Sequence, residues 1–374
     1  MPPGTLLFLL GGAGCCVDRG VTDLSECTVE GLGRELEARG LKASHAARLL
    51  RLYYAGKPGP DPGDPPLPGV LVDWLRAQAS GLAGPGAARR VSADGTVKLL
   101  LGLADGRRVE SVLMPDFHPD RAAGCLSSQV GCAMGCDFCA TARMGLERNL
   151  TAGEIVRQFL ALRREARAAG RTLRTVVFMG MGEPMLNLDQ VLAAIQRIAD
   201  NGLGGLGWGQ VTVSTVGIVP GIDALARSGL GVNLAVSLHA PDDQTRARLI
   251  PVGKRFGAAE VVDAAGRYQE HTGRPVSIQY CLLRGVNDSL DQAGQLVQLL
   301  SGRRMHVNLL SYNPTGAGLS GTAYEASSDV AAAAFMERLK TDGLVAHLRI
   351  PRGRDIEAAC GQLAGRGAPA SGPI

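Results

Sequence analysis

The sequence predicts an α/β protein, a parallel sheet crossed by helices, behind a small helical domain. Three observations predict it. From about residue 125, short apolar runs alternate with helical stretches, which implies parallel strands joined by right-handed crossovers. Between residues 26 and 85 the apolar spacing is helical instead. Polar motifs, Gly182-Glu183, Ser214, Ser237 to His239 and Asn313, recur where the apolar strands stop. Folds of this class place their chemistry at those strand ends.

Residues 1–25 stay unassigned. The run Thr5 to Leu10 before Cys15 and Cys16 faintly resembles a leader. It has no Lys or Arg ahead of it and is shorter than a normal signal core, so a mis-assigned start or a disordered tail is the expectation. Helices are expected at Glu30 to Ala38, at Ser44 to Tyr54 with Ser44 as N-cap, and at Val70 to Ser80. The Pro/Gly run 56–68 between the last two is a loop by composition. These pieces make a small helical accessory domain of 26–85. Val97 to Leu103 and Arg108 to Met114 flank Asp105-Gly106 and read as a β-hairpin, an extension over 90–120. The main domain covers 121–365. Thr151 caps a helix through Ala169, and Leu188 to Ala199 is another. Strands fall at 175–179, 211–215, 232–238, 276–282 and 306–310. Residues 366–374 read as a disordered tail.

Composition bounds the function loosely. The 374 residues are 45% hydrophobic, enough for one large and one small core. Aromatics are only 4%, so aliphatic side chains must fill those cores. Thirty-nine Lys and Arg against 35 Asp and Glu leave a net charge of +4, which permits a nucleic-acid partner without arguing for one. Nine cysteines with no disulfide-like spacing fit a reducing cytoplasm. No stretch approaches the roughly 20 apolar residues of a membrane span.

The most informative spacing is Cys132-x3-Cys136-x2-Cys139. Three thiolates on one loop can hold three irons of a [4Fe–4S] cluster and leave the fourth iron open. A cluster that only carries electrons takes four cysteines, whereas an open position can bind a substrate, as at catalytic zinc. Zinc itself would prefer paired Cys-x2-Cys knuckles and a nearby fourth ligand, and none follows.

The loop sits within Cys125-Leu-Ser-Ser-Gln-Val-Gly-Cys132. Downstream come Met179-Gly-Met-Gly-Glu-Pro184, Ser214-Thr215-Val-Gly, Ser237-Leu-His-Ala-Pro241 and Arg352-Gly-Arg-Asp-Ile-Glu-Ala-Ala-Cys-Gly-Gln-Leu363. Together they resemble the RlmN/Cfr family of radical S-adenosylmethionine (SAM) RNA methyltransferases, from about Ser92 to Gly365. The resemblance implies an open six-stranded (β/α)6 partial barrel. It implies methylation of adenine carbon 2 in 23S ribosomal RNA, and in transfer RNA, with carbon 8 as the alternative. It implies a [4Fe–4S] cluster, two SAM per turnover, an electron donor such as flavodoxin or ferredoxin, and a monomer.

The site residues follow from the same resemblance. Cys132, Cys136 and Cys139 match the cluster ligands. Cys360 matches the cysteine that carries the methyl group, Cys125 the one that resolves the protein–RNA adduct through a transient disulfide, and Glu110 the proton acceptor. Gly182, Glu183, Ser214, Ser237, Leu238, His239 and Asn313 match SAM contacts, and Phe138 an aromatic position of the cluster loop. Read alone, Cys360 would be a buried small residue and Glu110 a solvated strand face. Gln279 and Tyr312 stand where many members have Glu and Trp, and the amino-terminal domain departs most. Two other classes remain open, a radical SAM enzyme with another substrate and a silent iron–sulfur RNA-binding module. Cys125 and Cys360 argue against the first, and the intact set of Glu110, Cys125 and Cys360 against the second. Arg143, Arg148, Arg157, Arg163, Arg164 and Arg167 form a basic stretch that would suit RNA phosphates or simply face solvent.

Overall fold

A computed structural model describes residues 23–365. The leader-like run and the tail at 366–374 lie outside the described residues. The chain forms two compact units divided between Ala79 and Ser80.

The first unit is helical. α1 (Val29–Ala38) starts at Thr28, whose side chain accepts from the Gly31 amide at 3.0 Å. α2 (His45–Ala55) ends on Gly56 in the left-handed region, which glycine adopts without a Cβ clash. Ser44 is itself helical, at φ −59° and ψ −18°, and makes no capping bond, so its expected role is corrected. A cap needs an extended backbone to turn its oxygen onto the first amides. With α3 (Gly69–Ser80) these helices bury Leu32, Leu36, Leu49, Leu50, Tyr53, Leu71 and Leu75.

The second unit is built on one ten-stranded sheet. Its antiparallel part is β1 (Ala88–Val91), β2 (Val97–Gly102) and β3 (Arg108–Pro115), and β3 pairs antiparallel with β4 (Arg121–Cys125). A separate ribbon, β5 (Gln129–Gly131) with β6 (Leu146–Asn149), brackets the cysteine loop. Helices and strands then alternate: α4 (Ala152–Ala168), β7 (Thr172–Phe178), α5 (Leu188–Ala199), β8 (Val211–Thr215), α6 (Val219–Arg227) and β9 (Asn233–Ser237). They continue as α7 (Asp243–Leu249), α8 (Ala258–Thr272), β10 (Val276–Leu282), α9 (Leu290–Leu300), β11 (Met305–Ser311), α10 (Asp329–Thr341) and β12 (Val345–Arg349). The sheet order is β1-β2-β3-β4-β7-β8-β9-β10-β11-β12. From β4 onward every pairing is parallel.

The α/β fold therefore stands, with seven parallel strands where six were expected. The sheet is open, with β1 and β12 at its two edges. The central strands bury apolar side chains at alternating positions, as in Val211, Val213, Leu234 and Val236. α4 carries a complete capping box. Thr151 Oγ1 accepts from the Glu154 amide at 3.1 Å, and Glu154 Oε2 accepts from the Thr151 amide at 3.0 Å. Among the described residues no helix is long and apolar enough to cross a membrane.

Candidate active site at the strand ends

The cysteine loop leaves β5 through Gly131, at φ +77°, where a Cβ would stand 1.8 Å from the Gly145 carbonyl oxygen. Only glycine fits that approach. Two backbone bonds then shape the loop: the Cys132 amide donates to Gly145 O at 2.8 Å and the Cys139 amide to Cys136 O at 3.1 Å. Asp137 staples it from outside, a role the sequence did not signal. Its carboxylate accepts from the Ser320 amide at 2.7 Å, the Ser320 hydroxyl at 2.5 Å and the Tyr324 hydroxyl at 2.6 Å. These bonds hold the carboxyl below its usual range against the opposing effect of burial.

Burial pushes the Cys132 thiol up to about 12 and the Cys136 thiol well above its usual value. The second cause is mutual: Cys139 raises both, and Cys132 raises Cys136 further. Three sulfurs therefore share one pocket, where thiolates are costly until a metal's positive charge offsets them. Soft thiolates with no fourth protein ligand suit an iron–sulfur cluster. Among the described residues no three Cys, His, Asp or Glu side chains close in tightly enough for a single ion.

The first of the expected SAM contacts lie in the turn after β7. Gly182 has φ +97°, and a Cβ there would meet Gln129 Cβ at 2.5 Å. Its turn delivers Glu183, 2% exposed, whose amide donates to Gln129 Oε1 at 2.8 Å. The two Glu183 oxygens accept from the Met185 amide at 3.1 Å and the Val216 amide at 2.9 Å. Burial nevertheless raises its pKa to about 7. Its charge is felt at Cys132 and Cys136.

Ser214 and Ser237 close β8 and β9, and Leu238 is fully buried beyond. His239 adopts φ +59°, a left-handed conformation rare outside glycine. Its Nδ1 accepts from the Cys281 amide at 2.9 Å, and its carbonyl accepts from Asn287 Nδ2 at 2.7 Å. Burial lowers its pKa to about 3, helped by the nearby Arg246 charge, so the ring is neutral with Nε2–H left as donor. Phe138 packs edge-on to this ring, centroids 5.0 Å apart. Arg246 is fully buried, donates to Phe256 O at 3.0 Å and Val216 O at 2.5 Å, and also acts electrostatically on Cys136. Neither Arg246 nor Asn287 stood out in the sequence, because one basic and one amide residue carry no spacing signal.

The carboxy-terminal segment closes the arrangement. The Ala140 amide, one residue past the cysteine loop, donates to Gly361 O at 2.7 Å. Thr141 Oγ1 donates to Leu363 O at 2.6 Å, and Asn313 Nδ2 to Cys360 O at 3.3 Å. Asn313 Oδ1 in turn accepts from Arg354 Nε at 2.7 Å. Cys360 is solvent-accessible, and its thiol pKa is raised by the surrounding protein and then by Cys139. Cys125 is buried at the end of β4, its thiol raised to about 12 by burial and then by the Cys360 charge. Cys281 is a further thiol that feels Cys360. All seven described cysteines are free. Glu110 lies on β3 next to β4, almost fully buried, rather than on a solvated face.

Most of the basic stretch serves the fold. Arg143 donates to Thr315 and Ala317, Arg148 pairs with Asp105 and Glu154, Arg157 donates to Gly81 and Leu82 carbonyls, and Arg163 to the Gly204 carbonyl.

The sequence profile of the Radical SAM superfamily matches residues 126–297. The chain is 63% identical over 340 residues to the "Probable dual-specificity RNA methyltransferase RlmN 1" of Opitutus terrae, which covers 91% of this chain and 96% of that one. It is 44% identical over 377 residues to the like-named protein of a Parafrankia species, covering 96% and 95%. Among solved structures it matches a radical SAM methyltransferase from Sphaerobacter thermophilus at TM-score 0.82 and 40% identity, over 92% of this chain and 99% of that one.

Proposed function

The chain belongs to the RlmN family of radical SAM RNA methyltransferases, and from that premise we propose that it methylates carbon 2 of an adenine in 23S ribosomal RNA and in transfer RNA, with Cys360 as the methyl carrier. The observation that carries the reading is the shared neighbourhood of five thiols. Cys132, Cys136 and Cys139 sit on one loop, Cys360 is held against that loop, and Cys125 is close enough to feel its charge.

Cys132, Cys136 and Cys139 would hold a [4Fe–4S] cluster, which together with SAM would supply the one-electron chemistry that an unreactive ring carbon needs. The residues around it do the placing. Gly182 lets backbone approach SAM closely, and Glu183 accepts from its ammonium group. Ser214, Ser237, Leu238, the His239 Nε2–H and Asn313 complete the cradle, and Phe138 packs edge-on against His239 beside it. Cys360 would lose its thiol proton and take a methyl group from one SAM; the radical chemistry that a second SAM supplies would remove one hydrogen atom from that methyl, and the carbon would bond to adenine while still on sulfur. Glu110 would take the ring proton as the adduct returns one electron to the cluster; attack of the Cys125 thiolate on Cys360 sulfur would then break the sulfur–carbon bond, its electron pair would take up a proton to complete the new methyl group, and a Cys125–Cys360 disulfide would remain. The protein works as a cytoplasmic monomer supplied by a flavodoxin or ferredoxin.

Mass spectrometry of ribosomal and transfer RNA from cells with and without the gene tests this. The reading expects 2-methyladenosine to vanish from both RNAs without the gene. Loss of 8-methyladenosine alone, or of neither, would overturn the carbon-2 assignment.

A further inference from the structure

Both flanks of Cys360 meet at one buried ion pair. Lys98 on β2 and Glu110 on β3 are diagonal neighbours on one sheet face, since Leu100 is the residue opposite Glu110. Lys98 Nζ lies 3.1 Å from Glu110 Oε1, with 6% and 1% of the two side chains accessible. Lys98 Nζ also donates to the Glu357 carbonyl at 3.1 Å, ahead of Cys360 in the chain. Glu110 Oε2 accepts from the Ala364 amide at 2.9 Å and the Gly365 amide at 3.3 Å, beyond it. Glu357 has φ +55°, a left-handed conformation that a non-glycine residue keeps only when its surroundings impose it. Ahead of Glu357 the chain is also tied by Asp355, which accepts from Ser92 Oγ and the Ala93 amide, and by Arg354 on Asn313 and Ser311, and Arg90 pairs with Glu357 at 3.8 Å on the surface; the remaining ties across 358–363, at Ala140, Thr141, Asn313 and Gln362, are neutral hydrogen bonds. Buried charges are costly without partners, so the pair and the segment that completes it hold each other in place.

We propose that Lys98 is a positioning residue: by bridging Glu110 to the Glu357 carbonyl it fixes the docked position of the Cys360 segment, and while that segment is docked both carboxylate oxygens of Glu110 are taken. The clamp stands on the contacts alone. Its consequence rests on the roles proposed above for Glu110 and Cys360. Glu110 Oε2 opens to a substrate proton only when the Ala364 and Gly365 amides leave, so movement of the carrier segment and availability of the base become one event.

Hydrogen exchange on the full-length, cluster-loaded protein tests the clamp. Lys98→Met should speed exchange of the amides at 357–365 on the order of tenfold, the scale of one charge-assisted hydrogen bond. The amides of α4 and the central strands should stay protected, and Lys98→Arg should restore most of the loss. If Lys98→Met fails to fold because Glu110 is left buried without its counter-charge, the double variant Lys98→Met with Glu110→Gln removes both charges and should show the same local loosening. Unchanged exchange at 357–365 in either folded variant overturns the proposal. Loosening in Lys98→Met, combined with full methylation by Glu110→Gln, would keep the clamp and remove only the proton-acceptor role.

Discussion

Glu183 shows how a single buried group sets a pH dependence. Its pKa of about 7, against 4.5 normally, comes from burial, which two amide hydrogen bonds do not fully offset. The folded chain therefore holds this proton more tightly than the unfolded chain. Glu183 costs no stability below about pH 4.5 and a growing amount as pH rises through about 7. In metal-free protein, Glu183→Gln should gain on the parent as pH rises, by roughly 3 kcal/mol between the two limits for a shift of this size. Denaturant unfolding at pH 5 and pH 8 reads the difference, and an equal effect at both values would contradict it. At the thiols, Cys360→Ala should abolish methyl transfer to RNA and spare SAM cleavage, which uses only the cluster and an electron. Assays of RNA methylation and of 5′-deoxyadenosine release separate the two. The residue scale was the most legible in the sequence where spacing is short: three cysteines in eight positions, or Gly182 beside Glu183. Lys98, Asp137 and Arg246 were not legible, because each acts on groups far away in the chain and none has a spacing of its own.

Elements show the same division between local and long-range signals. The α4 capping box was read correctly at Thr151, since its two bonds involve residues three apart. Thr151→Ala should cost about 1 kcal/mol, visible as a lower thermal midpoint with iron content unchanged. Ser44 has the same residue type as a cap but a helical backbone, which the following residues impose and composition does not reveal. The hairpin of β2 and β3 was legible from its Asp-Gly turn, whereas β1, β4 and β12 were not expected. Ala88–Val91 and Val345–Arg349 are partly polar edge strands, and Arg121–Cys125 is small-residue rich, so none shows strand periodicity. The turn after β7 is constrained at Gly182. Gly182→Ala would force a Cβ against Gln129 in a left-handed backbone. It should destabilise the protein by about 1–3 kcal/mol and abolish the spectral change that SAM causes in the loaded protein. A stable variant that still responds to SAM would contradict the close-approach role.

At the scale of the whole molecule, the α/β order and the site at the strand ends were both readable, because alternating elements leave few topologies. The docking of residues 353–365 onto β2, β3 and the cysteine loop was not, since it joins positions more than 200 apart by single bonds. The arginines after the cysteine loop illustrate the converse: their charge looked available for RNA, and four of the six are committed to carbonyls and carboxylates of the fold. Anaerobic reconstitution should load about four irons per chain, and replacing Cys132, Cys136 or Cys139 by Ala should prevent it, as iron and sulfide analysis would record. One tightly held zinc without iron uptake would contradict the cluster. The central claim, that carbon reaches adenine while bonded to Cys360, is tested most directly with Cys125→Ala. Without the resolving thiolate, labelled RNA should remain covalently attached to the protein and migrate with it on a denaturing gel, and the additional change Cys360→Ala should abolish that band. Normal release of methylated RNA by Cys125→Ala, with no attached species, would contradict the account.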